Sequence, residues 1–354
     1  MATKIKCVVM RGGTSRGLFF HRDDLPQDRE SWRQLFCKAM GTPDPKQVDG
    51  LGGGTSSSSK IAIINKSNRP GIDVDYTFVQ VGVDQEIIDF TGNCGNLSSA
   101  VGPFAVDEGL VEAVEPFTEV SIFNTNTGKR IKSKIMVAKN SFNPAGDFKI
   151  PGLVQRGSEI VMEYFEPEGA LTGRLFPTGK KMEKITIGQK EYSVTIIDCT
   201  NPFVLVDAGE LNLTGTEPPS VIDSSPILSE LNKIREYAGK KIGISGAAFP
   251  KISVLSASNE FDLNSRTISL GKTHKTIPLT GAFAIASAAV IPGTLASTML
   301  KTGSLNCAGR VRIGYPGGVI NVGVDTSQEG GHQKIVKVTA GRTARRIMEG
   351  YIYV

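Results

Sequence analysis

One segment limits the fold of this chain more than any other: the uniformly small and apolar run from Gly281 to Ile291. A helix without a polar face must be buried on every side, so strands have to surround it. The segment from Leu97 to Val106 is similar in character. Two such helices predict an internal duplication and an α+β fold. We expect two pseudo-symmetric lobes, each a mostly antiparallel sheet wrapped round a central helix, with the active site in the cleft between lobes.

Residue periodicity predicts the other elements. Amphipathic spacing indicates a helix over Trp32–Met40 that ends at Gly41. A second helix, over Ile227–Tyr237, should end at Gly239, since glycine often follows the last helical residue. Apolar alternation or apolar runs predict strands at Lys4–Met10, Ile61–Ile64, Ile72–Val81, Glu86–Phe90, Lys129–Ala138, Lys184–Ile187, Tyr192–Asp198, Phe203–Asp207, Ile252–Ser256 and Val319–Val324.

The chain of 354 residues, 40% of them hydrophobic, is long enough for two cores. The polar stretch from Asn140 to Gly157 contains proline and glycine and is the expected linker. We therefore predict an N-terminal lobe over residues 1–160 and a C-terminal lobe over residues 161–337. The final strand, about 338–354, can rejoin the first lobe.

Composition narrows the class of protein. Five cysteines, an odd number without paired spacing, favour a reducing compartment, and we expect a cytoplasmic location. The longest apolar run is too short to span a bilayer, so no membrane association is expected. The net charge of +5 is scattered, and the densest basic stretch, Lys129–Lys134, alternates like a solvated strand face. We expect a small-molecule ligand and no nucleic-acid partner, and a homodimer is compatible with these features.

The segment Asn93–Asn96 places a thiol directly before the small-residue segment that begins at Leu97. A helix N-terminus presents unpaired N–H groups and partial positive charge, which favour a thiolate and a bound carboxylate. A buried structural cysteine is the alternative interpretation, because free cysteine is among the most buried residue types. Cys94 alone does not decide between them.

Two loops of glycines and hydroxyl residues favour a binding site. Arg11–Gly17 follows the first predicted strand, and Gly52–Lys60 runs directly into the strand at Ile61. Such loops bring N–H groups and hydroxyls close to an anion, and a cation completes the charge match. A flexible linker is the alternative, but these loops stand between strands of one compact domain. The donors that they offer are Thr14, Ser15, Arg16, Ser57, Ser58 and Ser59.

Two common ligand motifs are incomplete in this chain. Gly54 and Lys60 have nearly the spacing of a phosphate-binding loop. That motif needs glycine before the lysine and Ser or Thr after it, where this chain has Ser59 and Ile61. No cysteine pair has zinc-ligand spacing. The histidines are also isolated from one another: His21, His274 and His332. We therefore expect no nucleotide and no metal.

With these motifs the chain resembles the PrpF family of methylaconitate and related isomerases, which has the diaminopimelate epimerase fold. The resemblance covers nearly the whole chain. Diaminopimelate epimerases use two facing cysteines, of which Cys94 matches the first. Pro278 stands where the second belongs and cannot transfer a proton, so a symmetrical two-thiol racemisation is excluded. The resemblance supplies Lys60 as the alternative base. The matching segments are Met10–Gly17, Asp49–Gly54, Ser59–Lys60, Asn93–Asn96 and Thr280–Ala282.

The resemblance implies a cofactor-independent isomerase that moves a C=C bond in a small unsaturated di- or tricarboxylic acid of the 2-methylaconitate or aconitate type. The reaction would be a 1,3-allylic proton shift or a cis–trans change through a dienolate. Lys60 would remove the proton, and either Cys94 or Lys60 itself would return one. A lysine base must lose about three units from its usual pKa of about 10.4, and Arg16 is the expected neighbouring cation. Further carboxylate donors are expected at Asn93, Gly95, Asn96, His274, Lys275, Thr280 and Gly281.

Two other functions stay open from the sequence. One is an epimerase that uses Lys60 and Cys94 as its two bases. The other is a non-catalytic accessory protein of an aconitase-like hydratase, although retention of both proton-transfer groups speaks against pure binding. The acid itself is not determined. The candidate acids differ by one substituent, and no single residue of the sequence identifies that substituent. They are methylaconitate, aconitate, methylitaconate and oxalomesaconate.

Overall fold

The structure is a computed structural model that describes residues 3–244, 246, 248–301 and 309–354. The chain forms two compact units. Unit 1 comprises Met1–Met162 and Gly341–Val354, and unit 2 comprises Glu163–Ala340. Strands are the main elements of both. No helix within the described residues is long and apolar enough to cross a membrane.

The first part of the chain builds most of unit 1. Its strands are β1 (Lys4–Gly12), β2 (Ser15–His21), β3 (Lys60–Lys66), β4 (Val74–Val81), β5 (Ile88–Asp89), β6 (Phe117–Asn124), β7 (Lys129–Ala138), β8 (Ser141–Phe142) and β9 (Ile160–Phe165). Its helices are α1 (Ser31–Met40), α2 (Gly95–Ser98) and α3 (Val101–Asp107), with a 3-10 turn at Arg22–Asp24.

The second part builds unit 2 and then returns to unit 1. Its strands are β10 (Glu183–Ile187), β11 (Lys190–Cys199), β12 (Asn201–Asp207), β13 (Lys251–Ala257), β14 (Leu263–Ser269), β15 (Lys272–Thr273), β16 (Arg310–Tyr315), β17 (Gly318–Glu329), β18 (His332–Arg342) and β19 (Ala344–Tyr353). Its helices are α4 (Pro219–Asp223), α5 (Ile227–Lys241), α6 (Leu279–Val290) and α7 (Leu295–Thr298), with a 3-10 turn at Gly209–Leu211.

The strands of the two units pair in the same order. In unit 1, β1–β2 is antiparallel, β2–β3 parallel, β3–β4 antiparallel, β4–β6 parallel and β6–β7 antiparallel, and β19 flanks β1. In unit 2, β11–β12 is antiparallel, β12–β13 parallel, β13–β14 antiparallel, β14–β16 parallel and β16–β17 antiparallel, and β10 flanks β11. Most pairs are antiparallel, and one topology occurs twice, as expected for a duplication.

The predicted strands are confirmed, with ends that differ by a few residues. The basic stretch Lys129–Lys134 lies on β7, where buried and more exposed residues alternate. The stretch from Asn140 to Gly157, predicted as a linker, contains regular backbone pairing. It contains β8 and a backbone bridge between Phe148 and Gly157, so it is part of unit 1.

The α1 prediction is confirmed, because Gly41 caps the helix in the left-handed conformation at φ 78°. Its buried face, which includes Trp32 and Phe36, packs into the core of unit 1. The α5 prediction is wrong at its end. The helix continues past Gly239 to Lys241, and Tyr237 is 42% exposed. Gly239 is required by packing, since a Cβ there would lie 2.5 Å from the carbonyl oxygen of Ile244.

The α6 prediction is confirmed: Leu279–Ala289 is buried, and the helix packs against β11, β12, β16 and β17. The predicted helix over Leu97–Val106 is instead split into α2 and α3. Pro103 has no N–H to continue the helical ladder. Ser99 also bonds its hydroxyl to the carbonyl of Asn96, which competes with the backbone. The break separates the turn that follows Cys94 from the buried helix behind it.

Candidate active site

Cys94 is the N-cap of α2. Its backbone is extended, and its sulfur accepts a hydrogen bond of 3.4 Å from the N–H of Leu97. This bond satisfies one of the N–H groups that a helix start leaves unpaired. Ser15 at the start of β2 places its hydroxyl 3.7 Å from the same sulfur. The thiol is partly buried and held between a helix start and a strand start.

The turn between β1 and β2 packs tightly on α2. A Cβ on Gly12 would lie 2.6 Å from the carbonyl oxygen of Asn96 and 2.7 Å from that of Leu97. Gly13 has φ +51°, and a Cβ there would lie 2.4 Å from Oδ1 of Asn96. Glycine is needed for both the close approach and the left-handed backbone. The predicted donor Thr14 lies in this turn and Ser15 directly follows it, so both are held close to the Cys94 segment.

Lys60 is the first residue of β3 and is 6% exposed. Burial lowers the pKa of Lys60, because the ammonium form loses solvation. The charge of Cys94 and a hydrogen bond to it act in the opposite direction and raise the pKa of Lys60. The two predicted catalytic groups therefore interact directly within unit 1.

Arg16 has a different role from the one predicted for it beside Lys60. Its Nη2 donates to the carbonyls of Leu51 at 3.3 Å and Gly52 at 3.2 Å. It does not contribute to lowering the pKa of Lys60, for which burial is the cause. Arg16 instead closes the glycine-rich loop, and its predicted contact with substrate stays a prediction.

The serines before Lys60 fall into two groups. The hydroxyls of Ser57 and Ser58 bond to the hydroxyl of Thr55, at 3.0 and 2.8 Å, within the exposed part of the loop. Ser59 is fully buried, accepts from Nε2 of Gln47 at 2.7 Å and donates to the carbonyl of Gly82 at 3.4 Å. The Ser59 hydroxyl thus bonds within the protein, and its predicted contact with substrate stays a prediction.

Asn93, Gly95 and Asn96 are buried around Cys94. Asn96 accepts a hydrogen bond of 3.1 Å at Oδ1 from Nε of Arg342, which is 4% exposed. Arg342 comes from the end of β18, where the chain has returned to unit 1. This hydrogen bond therefore fixes the orientation of the Asn96 side-chain amide.

The other predicted site residues belong to unit 2. Nδ1 of His274 lies 3.1 Å from the hydroxyl of Thr276 and 3.3 Å from its N–H. Lys275 is exposed. Thr280 and Gly281 are buried in the first turn of α6, where a Cβ on Gly281 would lie 2.9 Å from the ring of Phe203. Their contact with substrate stays a prediction.

Two residues near the site were missed from the sequence. Gln80 accepts a hydrogen bond of 2.6 Å from Nζ of Lys60. Its signal was a single amide within the otherwise apolar end of β4, between Val79 and Val81. Arg342 had no local signal, because it stands 246 positions from Asn96.

The arrangement in unit 1 suits proton transfer. It combines a buried amine with a lowered pKa, a thiol that interacts with it, and a hydroxyl beside that thiol. Within the described ranges, no group of three or more His, Cys, Asp and Glu side chains could hold a metal ion. Of the five cysteines, the four that the structure describes form no disulfide with one another; Cys307 lies outside the described residues.

Comparison with curated proteins finds relatives that match almost end to end. The chain is 40% identical to a 3-methylitaconate isomerase from Eubacterium barkeri, over 99% of this chain and 97% of the relative. It is 34% identical to a 2-methyl-aconitate isomerase from Shewanella oneidensis, with the same two coverages. The site residues thus lie in a chain whose whole length is shared with named isomerases.

Solved structures agree with the sequence comparison. A methylitaconate-delta-isomerase has a TM-score of 0.80 and 39% identity, covering 100% of this chain and 96% of that one. A hydroxyproline epimerase from Agrobacterium vitis has a TM-score of 0.62 at 12% identity, covering 99% and 93%, and shares the fold. The predicted α+β fold of the diaminopimelate epimerase kind is confirmed. Since the profile described as PrpF protein matches residues 2–354, this chain belongs to the PrpF family.

Proposed function

We propose that this protein is an isomerase that moves a C=C bond in a small unsaturated di- or tricarboxylic acid, with Lys60 as the base. The observation that carries the proposal is the buried amine of Lys60, whose pKa is lowered by burial and which interacts with Cys94. An amine that is neutral nearer physiological pH can accept a proton from carbon. The named relatives act as isomerases of methylitaconate and 2-methyl-aconitate, which supports this class of substrate.

The reaction needs a proton on a carbon that lies between a C=C bond and a carboxylate. Lys60 takes that proton, and the electron pair left on carbon delocalises as a dienolate. A proton added at the far end of the allylic system gives the product with its double bond moved. No electrons leave the substrate, and the proton count is restored, so we propose that no cofactor takes part.

The dienolate places additional negative charge on the carboxylate oxygens, and preformed donors lower the energy of such a state. We propose that Thr14, Ser15 and Arg16 from the β1–β2 turn, and the N–H groups at the start of α2, supply these donors in unit 1. Ser57 and Ser58 can exchange their bonds to Thr55 for bonds to substrate. We propose the unit 2 donors His274, Lys275, Thr280 and Gly281 for the remaining carboxylates.

We propose that Cys94 shares the proton with Lys60, because the two groups interact. A thiol and an amine in contact can exchange one proton to become thiolate and ammonium, and no other group is needed. The proton that returns to substrate can therefore come from Lys60 or from Cys94. These routes differ in stereochemistry, which makes them separable by experiment.

The substrate is tested by incubating the purified protein with methylaconitate, aconitate, methylitaconate and oxalomesaconate in separate reactions. Proton NMR in deuterated water should show loss of the vinyl or allylic signal and deuterium at the new C–H. Fumarate has no allylic hydrogen and serves as a negative control. Failure to convert any of the four acids, by a folded protein, would refute the proposed substrate class.

A further inference from the structure

Gln80 lies directly opposite Lys60 in the β3–β4 ladder, and its Oε1 accepts the hydrogen bond of 2.6 Å from Nζ. Both side chains are buried, Lys60 at 6% and Gln80 at 8% exposure. We propose that Gln80 is a positioning residue of the reaction, because it directs the amine of Lys60 through a neutral acceptor and so keeps it available as a base. This inference rests on the proposed role of Lys60.

The orientation of the Gln80 amide is fixed by its surroundings. Its Nε2 donates to the carbonyls of Ser59 at 2.9 Å, Ser56 at 3.2 Å and Val81 at 3.2 Å. A flipped amide would turn its oxygen toward these three carbonyl oxygens, which would lose all three bonds, and would leave the ammonium form of Lys60 facing N–H donors. The oxygen therefore faces Lys60.

A neutral acceptor suits a lysine base better than a charged one. Oε1 can accept an N–H from either the amine or the ammonium, so the contact survives proton transfer. When Lys60 is a neutral amine, one of its N–H groups donates to Gln80, so the single lone pair on Nζ points away from Gln80. A carboxylate at this position would stabilise the ammonium by its charge and remove the base from use. An apolar side chain would accept no hydrogen bond, so the orientation of the Lys60 amine would not be fixed.

The other groups near Lys60 are an aromatic ring, an arginine and a thiol. Phe78 of β4 places its ring 4.9 Å from Nζ. Arg16 of β2 donates to loop carbonyls, and Cys94 at the start of α2 raises the pKa of Lys60 against the effect of burial. Among described residues, Cys94 is the titratable group whose charge acts on Lys60. A change of charge at Gln80 should therefore be visible in the titration of Lys60.

The test uses two substitutions with opposite expected effects. In Gln80→Glu, the acid limb of the kcat/KM profile should move up by about 1–3 pH units, as expected for an opposite charge beside a titrating group. In Gln80→Met, the ammonium loses its acceptor, so the acid limb should move down. Because the amine of Lys60 is then no longer oriented by a hydrogen bond, kcat should also fall, while KM changes little. Gln189→Glu, in the exposed turn between β10 and β11, adds the same charge and should leave the profile unchanged.

A second measurement follows Lys60 without turnover. The protein is labelled with lysine carrying ¹³C at Cε, and the Lys60 signal is assigned by its absence in Lys60→Met. Its titration midpoint should rise in Gln80→Glu and fall in Gln80→Met. If Gln80→Glu does not fold, because its carboxylate faces the carbonyls that bind the amide, Gln80→Met carries the test.

The outcomes separate this inference from the proposed function. Midpoints and acid limbs that move together, in the stated directions, support the positioning role. A midpoint that stays in place in both folded variants overturns it. A midpoint that moves while the kcat/KM profile does not overturns Lys60 as the base, and with it the positioning role, although the contact itself is then real.

Discussion

The hydroxyl of Ser15 lies 3.7 Å from the thiol of Cys94, although the two residues stand 79 positions apart. The contact joins the β1–β2 turn to the start of α2. It places the thiol beside a hydroxyl and within the same unit as Lys60. The role of this thiol is the first point to test.

Replacing Cys94 by serine should remove most turnover if the thiol is the acid, since serine is far less acidic than cysteine. In deuterated water, the wild type should then place deuterium on the face opposite the proton removed. Stereochemical analysis of the product by NMR measures this. Unchanged thermal unfolding would show that the variant is folded. An active Cys94→Ser with same-face return of the substrate's own hydrogen would leave Lys60 as the sole acid–base group.

Replacing Lys60 by methionine should reduce kcat by at least about 10²-fold, the usual lower range for one general base. Methionine fills a similar volume, so folding and ligand binding should be largely retained. The control is Lys66→Met at the exposed end of the same strand, which should keep normal turnover. Steady-state rates and ligand titration separate loss of chemistry from loss of binding. Near-normal turnover of Lys60→Met would disprove the base.

Removal of metals and small molecules should leave activity unchanged, because an allylic shift moves a proton and no electrons. The protein is dialysed exhaustively against a chelator, its metal content is measured, and turnover is compared with that of untreated protein. Turnover that disappears and returns only with an added metal would contradict the cofactor-free reaction.

Protonation of Glu108 should lower the free energy of unfolding at acidic pH. Burial raises the pKa of Glu108, but hydrogen bonds from Arg346, Lys6 and His21 outweigh burial and lower it from 4.5 to about 2. A carboxylate whose pKa falls on folding stabilises the protein above its unfolded pKa and loses that effect as pH falls through the folded value. Glu108→Gln should therefore lower the free energy of unfolding at pH 7 by roughly 1–3 kcal/mol, because its partner Lys6 is partly screened by solvent.

Urea unfolding of wild type and Glu108→Gln between pH 7 and pH 2 measures this difference. It should be constant at neutral pH and shrink between 4.5 and about 2. The exposed Glu112→Gln is the control and should change stability little. A difference that does not depend on pH would mean that the charge of Glu108 is not what stabilises the fold.

Replacing Gly12 by alanine should damage the active site through packing. The new Cβ would lie 2.6 and 2.7 Å from two carbonyl oxygens of α2, which are backbone atoms and must move. Overpacking of this kind costs roughly 1–3 kcal/mol. Gly350→Ala on β19 is the matched control, because its Cβ would meet only the end of Met348, at 3.7 Å. Equal thermal stability and activity in the two variants would contradict this account.

Local periodicity predicted ten of the strands, but it missed others, such as β2, β6 and β14. The apolar face of α1, its end at Gly41 and the buried character of α6 follow from spacing within ten to twelve residues. The segment around Cys94 was singled out from its own residues, and Lys60 was proposed as the base from the family resemblance. Their interaction needed the structure, since β3 and α2 are separated by two strands along the chain.

The sequence by itself determined the ten predicted strands, the helices α1 and α6, and which residues offer proton-transfer chemistry, because periodicity and residue type are local properties. Tertiary structure decided the rest. Gly239 lies inside α5, where Ile244 leaves no room for a Cβ. Ser59 is hydrogen-bonded to Gln47 and Gly82, and Gln80 faces Lys60 across a strand pair. These roles depend on contacts between residues distant in the chain. Burial, which lowers the pKa of Lys60, exists only once those contacts have formed.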